Sequence, residues 1–222
     1  MAAPFDAGEE RIILEIIDLC RRLNAKGMLA AADGNLSFRV SDERILITPS
    51  GVNKAFMKPE DMALVTLDNR ILHGNPSSER LIHLEVYKNC PKARAAVHAH
   101  PPAAIAWSLA RPYMRELPSD CLPEVMLAVG KIPILPYARP STSEMAQRLA
   151  PHLCRHRALI LARHGALAWG ESLMEAYNGI ERIEHSAWIL RLAQGFGGLS
   201  SLPAEEIAWL SRARGRLGEK IL

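Results

Sequence analysis

Residues 95–104 read AAVHAHPPAA. Ala95 to His100 has the length and apolar content of a short strand. Pro101-Pro102 then opens a helix, because proline fits the first helical turn, where its missing N–H is not needed. Within the strand His98 and His100 lie two residues apart. Alternate residues of a strand point to one face, so both imidazoles converge while Ala99 turns away. Two charged imidazoles among such apolar neighbours would be desolvated and would repel each other. A shared metal ion removes the conflict, since the ligand is neutral imidazole. Two histidines on a polar surface strand would suit these flanks poorly.

Outward from this strand the chain alternates hairpins and helices. Residues 8–26 carry Ile12, Ile13, Ile16, Ile17, Cys20 and Leu23 at helical spacing, and Gly27 follows as a stop. Residues 36–40 and 44–48 read as a hairpin around Ser41-Asp42-Glu43, and 63–67 and 71–73 as a second one. A helix is expected over 79–89 with a serine N-cap. A strand is expected over 131–137 and a Ser- or Thr-capped helix over 141–152. Residues 158–162 and 166–169 form a hairpin around His164-Gly165, a long helix covers 172–194, and Pro203 opens a final short helix. The pattern fits an α/β fold: a three-layer α/β/α sandwich with a mixed, largely antiparallel central sheet. No linker or repeat divides the chain, so 1–222 reads as one domain.

Further residues join the histidine pair. His164, in LILARHGALAW at 159–169, is a third polar group at the end of an apolar strand, where Gly165 allows the turn to aim it. Three histidines with one further position is a catalytic zinc pattern, and manganese and cobalt suit the same donors. Glu79 is the carboxylate candidate, although a glutamate there also complements the helix dipole. Ser77 and Ser78 precede the same helix start, where N–H groups favour an anion. Asp33-Gly34-Asn35-Leu36-Ser37 and Thr48-Pro49-Ser50-Gly51 are two more turns able to present N–H groups to a phosphate. Lys54 could add charge, but it reads as a solvated lysine.

Composition excludes other classes. The 222 residues carry a net charge of +3 and 5% aromatics, with no basic run interleaved with aromatics, so nucleic acid is not an expected partner. No apolar run reaches membrane-spanning length, and the start MAAPFDAGEERII lacks signal-peptide features. The expected compartment is the cytoplasm, with Cys20, Cys90, Cys121 and Cys154 reduced. No GxGxxG follows a first strand, which argues against a dinucleotide enzyme.

Five ordered segments carry a resemblance: DGNLS at 33–37, ITPSG at 47–51, PSSE at 76–79, VHAH at 97–100 and RHG at 163–165. From about residue 8 to residue 195 the chain resembles the class II aldolase/adducin family, and within it the L-fuculose-1-phosphate aldolase group. The resemblance implies a homotetramer with four-fold symmetry and active sites between subunits. It implies zinc on His98, His100 and His164, with Glu79 as resting-state ligand and acid/base. Gly34, Asn35, Ser50, Gly51, Ser77 and Ser78 would form the phosphate pocket. The implied activity is aldol cleavage of a ketose 1-phosphate, fuculose-, ribulose- or deoxypentulose-phosphate-like, to dihydroxyacetone phosphate and an aldehyde. One departure stands out. The family's protonating tyrosine should fall near 121–124, which here reads CLPE. Glu124 and Tyr113 are the candidates to replace it. The alternatives are a decarboxylase or dehydratase of a related sugar phosphate or sugar-acid phosphate on the same scaffold, an epimerase, and a non-catalytic adducin-like interaction module.

Overall fold

The computed structural model describes residues 4–218 and 220–222. The strands are β1 (Asn35–Ser41), β2 (Arg44–Ile47), β3 (Ala63–Val65), β4 (Ile71–His73), β5 (Ala95–Ala99), β6 (Ile134–Leu135), β7 (Ala158–Leu161) and β8 (Gly165–Gly170). The helices are α1 (Ala7–Ala25), α2 (Arg80–Asn89), α3 (Pro102–Ala110), α4 (Pro123–Ala128), α5 (Ser143–Leu153), α6 (Leu173–Gly195) and α7 (Ala204–Arg216). The strands form one sheet in the order β4-β3-β2-β1-β5-β8-β7-β6. Every pairing is antiparallel except β6 with β7. The mixed, largely antiparallel sheet expected from the hairpins is therefore present.

Side-chain alternation along the strands splits the interior into two cores. Leu36, Leu46, Val97, Ala166 and Ala168 face α1, α3 and α6. Ile45, Ile47, Ala96, Leu159 and Leu167 face α2 and α5. The helical faces match. On α6 the buried residues Leu173, Ala176, Ile180, Ile183, Ala187 and Leu190 recur every three or four positions. On α5 Met145, Leu149 and Leu153 do the same.

Four local readings needed correction, one of them the cap of α5: Thr142 holds the N-cap position, but its hydroxyl donates to the Arg139 carbonyl and makes no capping bond. The strand expected over 131–137 shrinks to Ile134–Leu135. Pro133 and Pro136 flank it at the sheet edge and have no N–H to give to a ladder. The serine cap expected for α2 is absent: Glu79 holds the N-cap position without a capping bond, and Ser77 Oγ accepts from the Glu79 N–H instead. Helix α4 was not foreseen. Its six residues are too few for a period, and Pro123 at its first turn was the one signal for it. Among the described residues no helix is long and apolar enough to cross a membrane.

Candidate metal centre

The central strand β5 pairs with β1 on one side and β8 on the other, with Asn35 and Leu167 opposite His98. His98 projects on the α2 side of the sheet, the side that Ala96 also faces. His100 follows the end of the strand, and its Nε2 lies 3.2 Å from His98 Nε2. His164 sits in the β7–β8 turn, and its Nε2 lies 2.9 Å from Glu79 Oε1. Glu79 Oε2 lies 3.2 Å from His98 Nε2. The four ligand atoms all fall within 4.8 Å of one another. Glu79 thus turns its carboxylate to the histidines rather than to its own helix.

The donor arrangement fits a metal ion. His98 Nδ1 lies 2.9 Å from the Ala166 carbonyl, which can only accept, so the Nδ1 proton is fixed there. In the neutral ring Nε2 is then a bare lone pair, and it faces another imidazole nitrogen. At 3.2 Å the two Nε2 atoms are close enough to share a proton or to bind one metal ion, and His164 and Glu79 beside them complete a set that could hold the ion. The Asp33 carboxylate lies 3.5 Å from His100 Nδ1 and orients that ring from behind, as carbonyls and carboxylates do for metal-bound histidines. Burial, reinforced by His98 and His164, pushes the His100 pKa down to about 4, which keeps the ring in its ligating form. Burial alone would raise the Glu79 pKa. When protons rather than a metal ion occupy the histidines, the charge of His98 and the bonds from His164 and His98 outweigh burial and hold the carboxyl well below the usual range.

Glycine serves this site by space rather than by turn geometry. In the turn before β8 the left-handed residue is Arg163, with φ 65°, and not Gly165. A Cβ on Gly165 would lie 2.5 Å from the Ala99 carbonyl and 2.9 Å from both the His98 and His100 rings. The expected role of Gly165 as a turn former is therefore replaced by one of clearance. Gly34 combines both needs: its φ is +70°, and a Cβ would meet the His98 carbonyl at 2.9 Å.

A cavity of about 310 Å³ opens beside the four ligands. Gly34, Asn35, Ser50, Gly51, Ser77 and Ser78 all line it, together with Glu79, His100 and His164. The three turns singled out from the sequence therefore meet. The loops are stitched by Ser50 N to Asn75 O at 2.9 Å and Ser77 N to Thr48 O at 3.1 Å. Those two amides are consumed internally, which leaves the serine hydroxyls as the better anion donors. A larger recess of about 990 Å³ lies between α4, α7 and the segment 154–157 that leads into β7. It lacks the ligand cluster, and its buried cation Arg157 is already paired with Glu175 at 2.7 Å and Glu171 at 3.1 Å. The smaller cavity, beside the ligand cluster, is the candidate site.

Several supporting residues escaped the sequence reading. Lys54 is 1% exposed, and its ammonium donates to the carbonyls of Ala32 at 3.0 Å and Val52 at 2.7 Å. It clamps two cavity loops together and is not solvated. Ser141 lines the cavity with φ 61° and bonds to the Ser78 hydroxyl at 3.1 Å. Ser108 Oγ accepts from the Arg163 N–H at 2.8 Å and so holds the His164 turn. Tyr113 is 89% exposed, and neither it nor Glu124 lines the cavity.

Comparison with known proteins identifies the family. The 3-oxo-tetronate 4-phosphate decarboxylase of Escherichia coli O6:H1 strain CFT073 is 34% identical over 208 residues, covering 91% of this chain and 96% of the relative. The crystal structure of YgbL from Escherichia coli superposes with a TM-score of 0.85 at 32% identity, over 91% of this chain and 99% of the other. L-fuculose-1-phosphate aldolase from Thermus thermophilus gives a TM-score of 0.73 at 39% identity, over 86% of this chain and 99% of the other. Residues 14–190 match the family described as Class II Aldolase and Adducin N-terminal domain, and the chain belongs to that family.

Proposed function

We propose that this protein is a metal-dependent decarboxylase of a 3-oxo sugar-acid phosphate. The observation that carries this reading is the near full-length match to the 3-oxo-tetronate 4-phosphate decarboxylase. The aldolase reading drawn from the sequence is supported only at the level of scaffold and sugar-phosphate chemistry. The absence of tyrosine from residues 121–124 favours the change, because decarboxylation has no aldehyde oxygen to protonate.

The two reactions share their central chemistry. Loss of carbon dioxide from a 2-hydroxy-3-oxo acid 4-phosphate leaves the enediol of dihydroxyacetone phosphate, the fragment that aldol cleavage also produces. A divalent cation on His98, His100, His164 and Glu79, with zinc the first choice and manganese or cobalt alternatives, would supply Lewis-acid stabilisation of the charge developing on the oxygen. The chain does the rest. Ser50, Ser77 and Ser78 hold the phosphate with Gly34, Asn35 and Gly51 around it. This fixes the 3-oxo group at the ligand end of the cavity. As the C1–C2 bond breaks, its electron pair moves into the enediolate and carbon dioxide departs. Glu79, having first taken up a proton from solvent, delivers it to C2, which closes the balance. The exposed Tyr113, Phe56 and Phe196 support burial between subunits in the expected homotetramer.

The aldolase from Thermus, at 39% identity, keeps aldol cleavage as a second reading. The test offers the metal-loaded protein 3-oxo-tetronate 4-phosphate and L-fuculose 1-phosphate separately. Turnover of the acid supports decarboxylation. Turnover of fuculose phosphate alone reverts to the aldolase.

A further inference from the structure

Behind Glu79 runs a line of buried polar groups, of which only Asn35 also borders the phosphate pocket. Asn35 Nδ2 donates to Glu79 Oε2 at 3.2 Å. Asn35 Oδ1 faces His83 Nε2 at 2.5 Å. His83 Nδ1 meets Ser37 Oγ at 2.7 Å, and Ser37 Oγ meets the Tyr87 hydroxyl at 2.6 Å. Asn35 and Ser37 are alternate residues on one face of β1, and His83 and Tyr87 are one turn apart on α2. His83 and Ser37 are fully buried, and Tyr87 and Asn35 are 2% exposed. Of these four only Asn35 lines the cavity.

Counting protons gives the line a direction. A carboxylate only accepts, so Asn35 must turn its NH₂ to Glu79 and its carbonyl oxygen to His83. That oxygen needs a donor, which places the His83 proton on Nε2. Burial drives the His83 pKa down to about 3, so the ring carries one proton only and Nδ1 must accept. Ser37 then donates to His83 and accepts from Tyr87. Reversing the Asn35 amide would set oxygen against oxygen at Glu79. We propose that His83 is a positioning residue: through Asn35 it locks the Glu79 carboxylate in the orientation from which it exchanges a proton with substrate. The kinetic side of this proposal rests on Glu79 being the acid/base, whereas the direction of the chain does not.

The experiment uses zinc-loaded protein with ¹⁵N-labelled histidine rings, together with His83→Gln, His83→Leu and Glu79→Gln. The ¹⁵N resonances missing from His83→Gln identify His83 in the unsubstituted protein. Protonated Nε2 with bare Nδ1 is expected, and the opposite tautomer overturns the chain whatever Glu79 does. In kinetics His83→Leu should lower kcat by about 10–100-fold with KM little changed. His83→Gln, whose amide can donate and accept at once, should recover most of it. Full kcat in His83→Leu, or equal loss in both variants, overturns the positioning role. Full activity in Glu79→Gln would instead sink the acid/base reading and leave the tautomer result standing.

Discussion

His164 Nε2 lies 2.9 Å from Glu79 Oε1, although the two residues are 85 positions apart in sequence. The contact joins the β7–β8 turn to the start of α2 and brings the carboxylate to the three imidazoles. The first prediction concerns this carboxylate. Glu79→Gln should still bind about one metal ion per chain, because three histidines remain, yet turn over ~10²–10⁴-fold more slowly. Elemental analysis beside kcat checks it. Loss of metal together with activity would make Glu79 a ligand without an acid/base role.

Gly165→Ala should damage the site without replacing a ligand. The added methyl would fall 2.5 Å from the Ala99 carbonyl and crowd the His98 and His100 rings. Overpacking of this kind costs about 1–3 kcal/mol. Denaturant unfolding should show it, and zinc affinity should fall by about tenfold or more.

Lys54→Met should loosen the cavity loops. The carbonyls of Ala32 and Val52 lose their donor, at a cost of about 1–3 kcal/mol. KM for the phosphorylated substrate should rise more than kcat falls, since Asp33, Gly34, Ser50 and Gly51 move with these loops. Unchanged stability would contradict the clamp.

Acid should weaken the metal-free protein partly through His83. Its folded pKa of about 3 lies below the ordinary 6.5 because burial penalises the charged ring. The stability it contributes is therefore complete above pH 6.5 and is lost as pH falls towards 3. Between about pH 7 and 5 this amounts to about 2 kcal/mol. Urea unfolding at both values should show a smaller drop in His83→Gln than in the unsubstituted chain.

Much of this was legible from local pattern. The hairpins of 36–48 and 158–169 announced themselves through apolar runs around polar turns, and the i, i+2 spacing of His98 and His100 marked two members of the candidate metal cluster. Gly34, Ser50 and Ser77 were legible as turns, but their meeting around one cavity is a tertiary fact. Lys54 and His83 were not legible. A lysine in SGVNK carries no mark of burial until the Ala32 and Val52 carbonyls converge on it. The partners of His83 lie on a strand 46 and 48 residues upstream. The β6 strand was overread because its apolar residues masked the two prolines that limit its pairing.

The proposed reaction breaks the bond between the substrate's carboxyl carbon C1 and C2. The most direct measurement supplies 3-oxo-tetronate 4-phosphate, labelled with ¹³C at the carboxyl, to the metal-loaded protein and follows both products. The account predicts labelled carbon dioxide and unlabelled dihydroxyacetone phosphate in equal amounts, both abolished by a chelator and restored by zinc or manganese. Carboxyl label retained in every product, with dihydroxyacetone phosphate released only from a ketose 1-phosphate, would contradict it.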